Sequence, residues 1–121
     1  MRRLTLILLL SFGFATSVVR AETEGEAVLR NLVRFQARVE QARAARRPTP
    51  FQIAPSDAGD LQKLVGLSRS LIQEELGGVC HDTCSWPFFW LPPDYLGGGP
   101  TLYAAFDTNG VCSEVYVVHS Q

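Results

Sequence analysis

Gly77-Gly78 divides this sequence into two regimes of side-chain period, and no fold built from one type of secondary structure can satisfy both. Before the pair, buried-type residues recur at intervals of three and four, the spacing of a helix face. Leu29, Leu32, Val33, Val39 and Ala42, with Gln36 among them, mark a helix over 26–47. Glu22, Glu24 and Glu26 stand at its start and Arg43, Arg46 and Arg47 at its end, the order that a helix dipole favours. Pro48-Thr49-Pro50 stops it, because proline lacks the amide proton and turns the preceding residue away from helix. Ser56 or Asp57 can cap a short segment running to Leu64. Ser68 opens a second helix with Leu71, Ile72 and Leu76 on its buried side, and Gly77-Gly78 closes it.

After Cys84 the period becomes two. Three strand-like runs follow, over 85–91, 101–106 and 111–119. The breaker-rich stretch from Pro92 to Pro100 separates the first two, and Asp107-Thr108-Asn109-Gly110 joins the last two as a tight antiparallel turn. Pro87 assigns the first run to an edge. The fold class is therefore α+β, two helices packed on one face of a three-stranded antiparallel meander. The chain divides into residues 1–21, an N-terminal amphipathic helix over 22–50, and a helix-plus-sheet core over 51–121.

Alternation assigns the faces of the sheet. Leu102, Ala104, Phe106, Val111, Val115 and Val117 point to the helices; Tyr103, Cys112, Glu114, Tyr116 and Val118 point away. With Trp86 or Trp90 beside Tyr103 and Tyr116, that outward face is aromatic, which suits a surface for another protein. On the first helix Arg30, Arg34 and Arg38 form a stripe at i, i+4 and i+8, either a solvated flank or a peripheral contact with anionic envelope lipid or an acidic partner.

The first residues set the compartment. Met1-Arg2-Arg3, an apolar run from Leu4 to Phe14 and the small residue Ala21 have the layout of a cleaved export signal. The run is shorter than the roughly 20 residues that a membrane-spanning helix needs. The chain is expected in a periplasm or outside the cell, with no cysteine placed to carry a lipid anchor. Cleavage after Ala21 removes Arg2, Arg3 and Arg20, so 11 basic residues fall to 8 against 12 acidic ones, a net charge of −4. That balance argues against nucleic acid as a partner.

Three cysteines remain to be placed. Cys80, His81 and Cys84, with Cys112 or His119, fall within zinc-ligand spacing, but an exported chain tends to lose such thiolates to disulfides. A redox pair wants the N-terminus of a helix, and this pair follows a C-terminus. A thiol nucleophile needs a histidine beside it, whereas His81 adjoins Cys80 in sequence. The favoured reading is a local Cys80–Cys84 disulfide with Cys112 as the odd thiol, free or bridging two chains; a bond from either to Cys112 is the alternative. No catalytic residue, metal or cofactor is expected, and the chain reads as a binding protein and not an enzyme.

Two stretches carry a family resemblance. "GLSRSLIQEELG", residues 66–77, resembles the second helix of the SmpA/OmlA (BamE-like) family of small envelope proteins, and "LYAAFDTNGVCSEVYVV", residues 102–118, resembles its closing hairpin. The β-lactamase inhibitor protein fold has a similar layout, often with a cysteine after the second helix, where Cys80 stands here. The resemblance implies a non-enzymatic module that binds another protein or the envelope. "CHDTC" is in turn similar to the disulfide-closed loop by which some periplasmic lysozyme inhibitors present a histidine and an aspartate, here His81 and Asp82, to an enzyme cleft.

Overall fold

The computed structural model describes residues 21–48, 54–78, 80 and 82–119; residues 1–20, where an export signal is expected, and His81 lie outside them. Helix α1 spans Glu24–Ala45 and starts two residues before the periodic pattern does. The cause is a capping box: the Thr23 hydroxyl accepts from the Glu26 amide at 3.1 Å, and the Glu26 carboxylate accepts from the Thr23 amide at 2.9 Å. Its other end is set by Arg46, which adopts a left-handed φ of 57° and lets the Arg47 amide reach the Ala42 carbonyl at 2.9 Å. Gly25, Val28, Leu29, Leu32 and Val39 form the buried side. Gly25 is there for closeness, since a Cβ at that position would overlap the Lys63 carbonyl oxygen.

Two single 3-10 turns, Pro55–Ala58 and Leu61–Leu64, carry the chain beneath α1. The capping expected from Ser56 or Asp57 falls elsewhere. Pro55 opens the first turn with no side-chain cap, and Asp60 caps the second by accepting from the Gln62 amide at 3.0 Å. Helix α2, Arg69–Leu76, has the expected ends: the Ser68 hydroxyl accepts from the Leu71 amide at 3.1 Å, and Gly77 closes it at φ 82°.

The sheet has the order β1-β2-β3, with β1 Thr83–Pro87, β2 Pro100–Phe106 and β3 Cys112–His119, all antiparallel. The first strand starts and ends earlier than its sequence pattern suggests, because the ladder stops at Pro87 and the aromatics Phe88 to Trp90 continue into a loop. Between β2 and β3 the Asp107 carboxylate accepts from the Asn109 amide at 2.8 Å and the Val111 amide at 3.0 Å, while Gly110 takes φ 74°. That arrangement satisfies the turn amides without help from elsewhere in the fold.

One core joins every element. Leu32 from α1, Leu64 from the second 3-10 turn, Ile72 from α2, Leu102 from β2 and Phe88 after β1 are all buried in a single cluster. The division at residue 50 is thus no boundary of packing. Each such side chain contributes about 1.5–3 kcal/mol when removed from water. Polar ties flank the cluster: Asn31 donates to the Ala58 carbonyl at 3.0 Å, Gln36 to Leu76 at 2.9 Å and Gln62 to Val115 at 3.1 Å. Gln36 thereby satisfies one of the carbonyls that the end of α2 leaves without a helical partner.

Candidate binding surface

The sheet presents three rungs to the side away from the helices. In register they are Thr83–Ala105–Glu114, Ser85–Tyr103–Tyr116 and Pro87–Thr101–Val118. Eight of these nine side chains are uncharged, Glu114 being the exception. The solvated side of an antiparallel sheet is ordinarily polar and charged; this one is polar, through Thr83, Ser85, Thr101 and the two tyrosines, but nearly without charge. At its centre the rings of Tyr103 and Tyr116 stack with centroids 5.1 Å apart and planes inclined by 6°. Such a pair contributes about 0.5–1.5 kcal/mol beyond its buried area. Tyr116 remains 42% exposed and Val118 45%, and Tyr103 is half-buried beneath its neighbour.

Two tryptophans expected on this surface are not part of it. Trp86 pairs with Leu102 across the ladder and so shares the inward face; it is 5% exposed, and its indole donates to the Gly77 carbonyl at 2.9 Å. The sequence pattern misplaced it because an aromatic run interrupted by Pro87 has no clear alternation, whereas the register is fixed by the partner strand. Trp90 lies in the loop after β1, half-buried, with the Arg46 guanidinium 5.5 Å from its ring centre. It fastens the end of α1 to that loop.

Cys112 is also turned the other way. The register shifts between Ala105 and Phe106, so that Ala105 pairs with Glu114 and Phe106 with Cys112, leaving Ser113 as an extra residue. A bulge of this kind reverses the parity of what precedes it. The Cys112 side chain is 1% exposed, inside the core, and burial pushes its thiol up from the ordinary value, with a hydrogen bond from the Glu114 backbone acting in the opposite direction. A bond from this sulfur to a second chain would require β3 to part from the core. Val111, expected inward, is half-buried in a bridge to Ser68.

Cys80 and Cys84 form a disulfide across a Cα separation of 5.0 Å, within the ordinary range. It closes the step from the α2 stop into β1. The Asp82 carbonyl accepts from the Phe106 amide at 2.9 Å, which pins the ring to β2, and the Asp82 side chain is exposed. With their sulfurs joined, these two cysteines are not metal ligands. Among the described residues no group of three or more His, Cys, Asp or Glu is placed to hold a metal ion.

A cleft of about 380 Å³ opens between α1 and α2, lined by Glu22, Glu26, Leu29, Arg30, Leu71 and Glu75. Arg30 pairs here with Glu22, so the first member of the expected arginine stripe is held against its own helix. No helix among the described residues is long and apolar enough to cross a membrane.

No family model, curated protein or solved structure matches this chain.

Proposed function

We propose that this chain is an exported, non-enzymatic binding module of SmpA/OmlA-like type that seats another protein on the outer face of its sheet. The observation that carries the reading is the stacked Tyr103–Tyr116 pair, with Tyr116 exposed at the centre of a nearly uncharged face. Protein interfaces are enriched in tyrosine and depleted in lysine, glutamate and aspartate at their centres, which is the composition of this face. The sheet backbone holds both rings in place before any partner arrives, so little ordering entropy is lost on binding. The two-helix-plus-meander layout agrees with what the family resemblance implies for the fold.

Purification of tagged wild type, Tyr103→Ala and Tyr116→Ala from an envelope extract tests the reading. A protein recovered with the wild type and lost from both variants, at unchanged circular dichroism, supports it. Equal recovery with all three removes the sheet face from consideration.

The disulfide-closed ring supports a second reading, an enzyme inhibitor that presents Asp82 and its neighbour His81. The exposed Asp82 side chain between two bonded cysteines favours it. Inhibition of lysozymes by the wild type, abolished by Asp82→Ala, is the expected result; a wild type without effect on lysozymes ends this reading.

A further inference from the structure

Positive charge on this protein is gathered on one helix. From Glu22 onward the basic residues are Arg30, Arg34, Arg38, Arg43, Arg46, Arg47, Lys63 and Arg69, and six of the eight lie on α1 or at its C-terminal end. Several are already committed: Arg30 to Glu22, Arg43 to Glu40, Arg46 to the Trp90 ring, Lys63 to Glu24 and Arg69 to the Phe106 ring. Arg34, Arg38 and Arg47 have neither an ion-pair nor a ring partner among the described residues, and all three are exposed. Between Arg30 and Arg47 the only acidic residue is Glu40. The rest of the chain, with Lys63 and Arg69 against eight acidic residues after Arg47, is negative.

Helical geometry gives these charges a common direction. At about 100° per residue, Arg30, Arg34 and Arg38 fall within about 80° of one another, on the side of α1 turned away from the buried Leu32. Ala37, Gln41 and Ala45 share that side. Short neighbours leave the guanidinium groups as the outermost atoms of the face. No bulky apolar side chain lies among them, so the face is suited to rest on a charged plane and not to insert below it.

We propose that this arginine face docks on the surface of an anionic lipid bilayer. A guanidinium binds phosphate oxygens in a planar, two-pronged geometry, and the field of an anionic leaflet attracts basic residues within a Debye length of it. Charge complementarity selects the occupant: the face offers cations along a line and lacks the apolar socket that an acidic peptide would use for its side chains. The outer sheet face belongs to other elements and also points away from the core, so a molecule resting on α1 keeps Tyr116 open to a partner.

Co-sedimentation of the full chain with vesicles tests this proposal, using phosphatidylcholine alone and phosphatidylcholine mixed with phosphatidylglycerol. Arg34→Gln/Arg38→Gln is compared with wild type and with Lys63→Gln, which removes one cation elsewhere. Each neutralised arginine is expected to weaken partitioning onto the anionic vesicles about fivefold, so about 25-fold for the pair, with salt abolishing the difference. Lys63→Gln is expected to bind like the wild type. The N-terminal apolar segment is common to all three chains and cancels in the comparison. Equal partitioning of wild type and double variant overturns the proposal. So does an affinity for a short DNA duplex that matches the affinity for anionic vesicles, since the face would then read as a general polyanion site.

Discussion

The indole of Trp86 donates to the carbonyl of Gly77 across 2.9 Å, joining the residue that stops α2 to the middle of the first strand nine positions later. The bond satisfies one of the carbonyls that a helix end leaves open, and it does so with a buried donor that has no water to turn to. Around it the Cys80–Cys84 disulfide closes the same short connection covalently. The passage from helix into sheet is therefore held twice.

Trp86 should accordingly behave as a core residue. Trp86→Phe retains most of the ring volume and loses the hydrogen bond to the exposed Gly77, at an expected cost of about 0.5–1.5 kcal/mol. Trp86→Ala is expected to cost about 3–5 kcal/mol. Urea denaturation measures both; variants that unfold at the wild-type midpoint would return Trp86 to the surface.

The disulfide makes a smaller contribution than a long-range staple. A ring of five residues restricts the unfolded chain by about 2 kcal/mol in the chain-entropy treatment. Cys80→Ser/Cys84→Ser is expected to fold with its unfolding free energy lowered by that amount. A non-reducing peptide map of the wild type should join the peptides holding Cys80 and Cys84 and leave Cys112 alone; a Cys112 peptide linked to either one contradicts the pairing.

Cys112 supplies a pH dependence. Its folded-state pKa is raised above 9.0 by burial, so the protonated thiol is the form the fold prefers. Its contribution is intact below the unfolded value of 9.0 and is lost as pH rises through the folded-state pKa. Wild type should therefore lose stability relative to Cys112→Val as the pH is raised above about 9. A stability difference that stays constant with pH would place the thiol in contact with water, and rapid alkylation of the native protein would say the same.

Gly25 reverses an ordinary rule. Gly→Ala within a helix usually stabilises by about 1 kcal/mol. At this position the added methyl meets the Lys63 carbonyl, and backbone can yield only by moving α1 away from the 3-10 turn. Gly25→Ala is expected to destabilise by about 1–3 kcal/mol. Thermal unfolding decides the sign, and a raised midpoint would mean that α1 and the turn are not in close contact.

Elements with local signals could be read directly from the sequence. Ser68 and Gly77 bound α2 through interactions within a few residues, and Asp107-Thr108-Asn109-Gly110 builds its own turn. The close cysteine pair is likewise a local matter. Thr23 and Glu26 carried an equally legible signal, a threonine followed three residues later by glutamate, which fixes the start of α1 better than the apolar period does. What could not be read depends on pairing between strands. The extra residue at Ser113 has no glycine to mark it, yet it turns Cys112 inward. Trp86 is likewise placed by Leu102, a residue 16 positions away. Of the outer face, Tyr103 and Tyr116 were legible because they lie beyond the bulge, on the side where alternation is undisturbed. The Gln36 and Gln62 ties have no sequence pattern at all, since each joins a side chain to a distant carbonyl.

The most direct measurement of the central claim is photo-crosslinking in the producing cell with a benzophenone side chain placed in turn at residues 85, 116 and 74. Tyr116 and Ser85 share the middle rung of the outer sheet face, while Glu74 is exposed on α2. The expected result is the same discrete protein adduct from positions 85 and 116, none from 74, and loss of the adduct from position 85 when Tyr103→Ala is added. An adduct from position 74 with none from 85 or 116 would contradict the assignment of the outer sheet face as the binding surface.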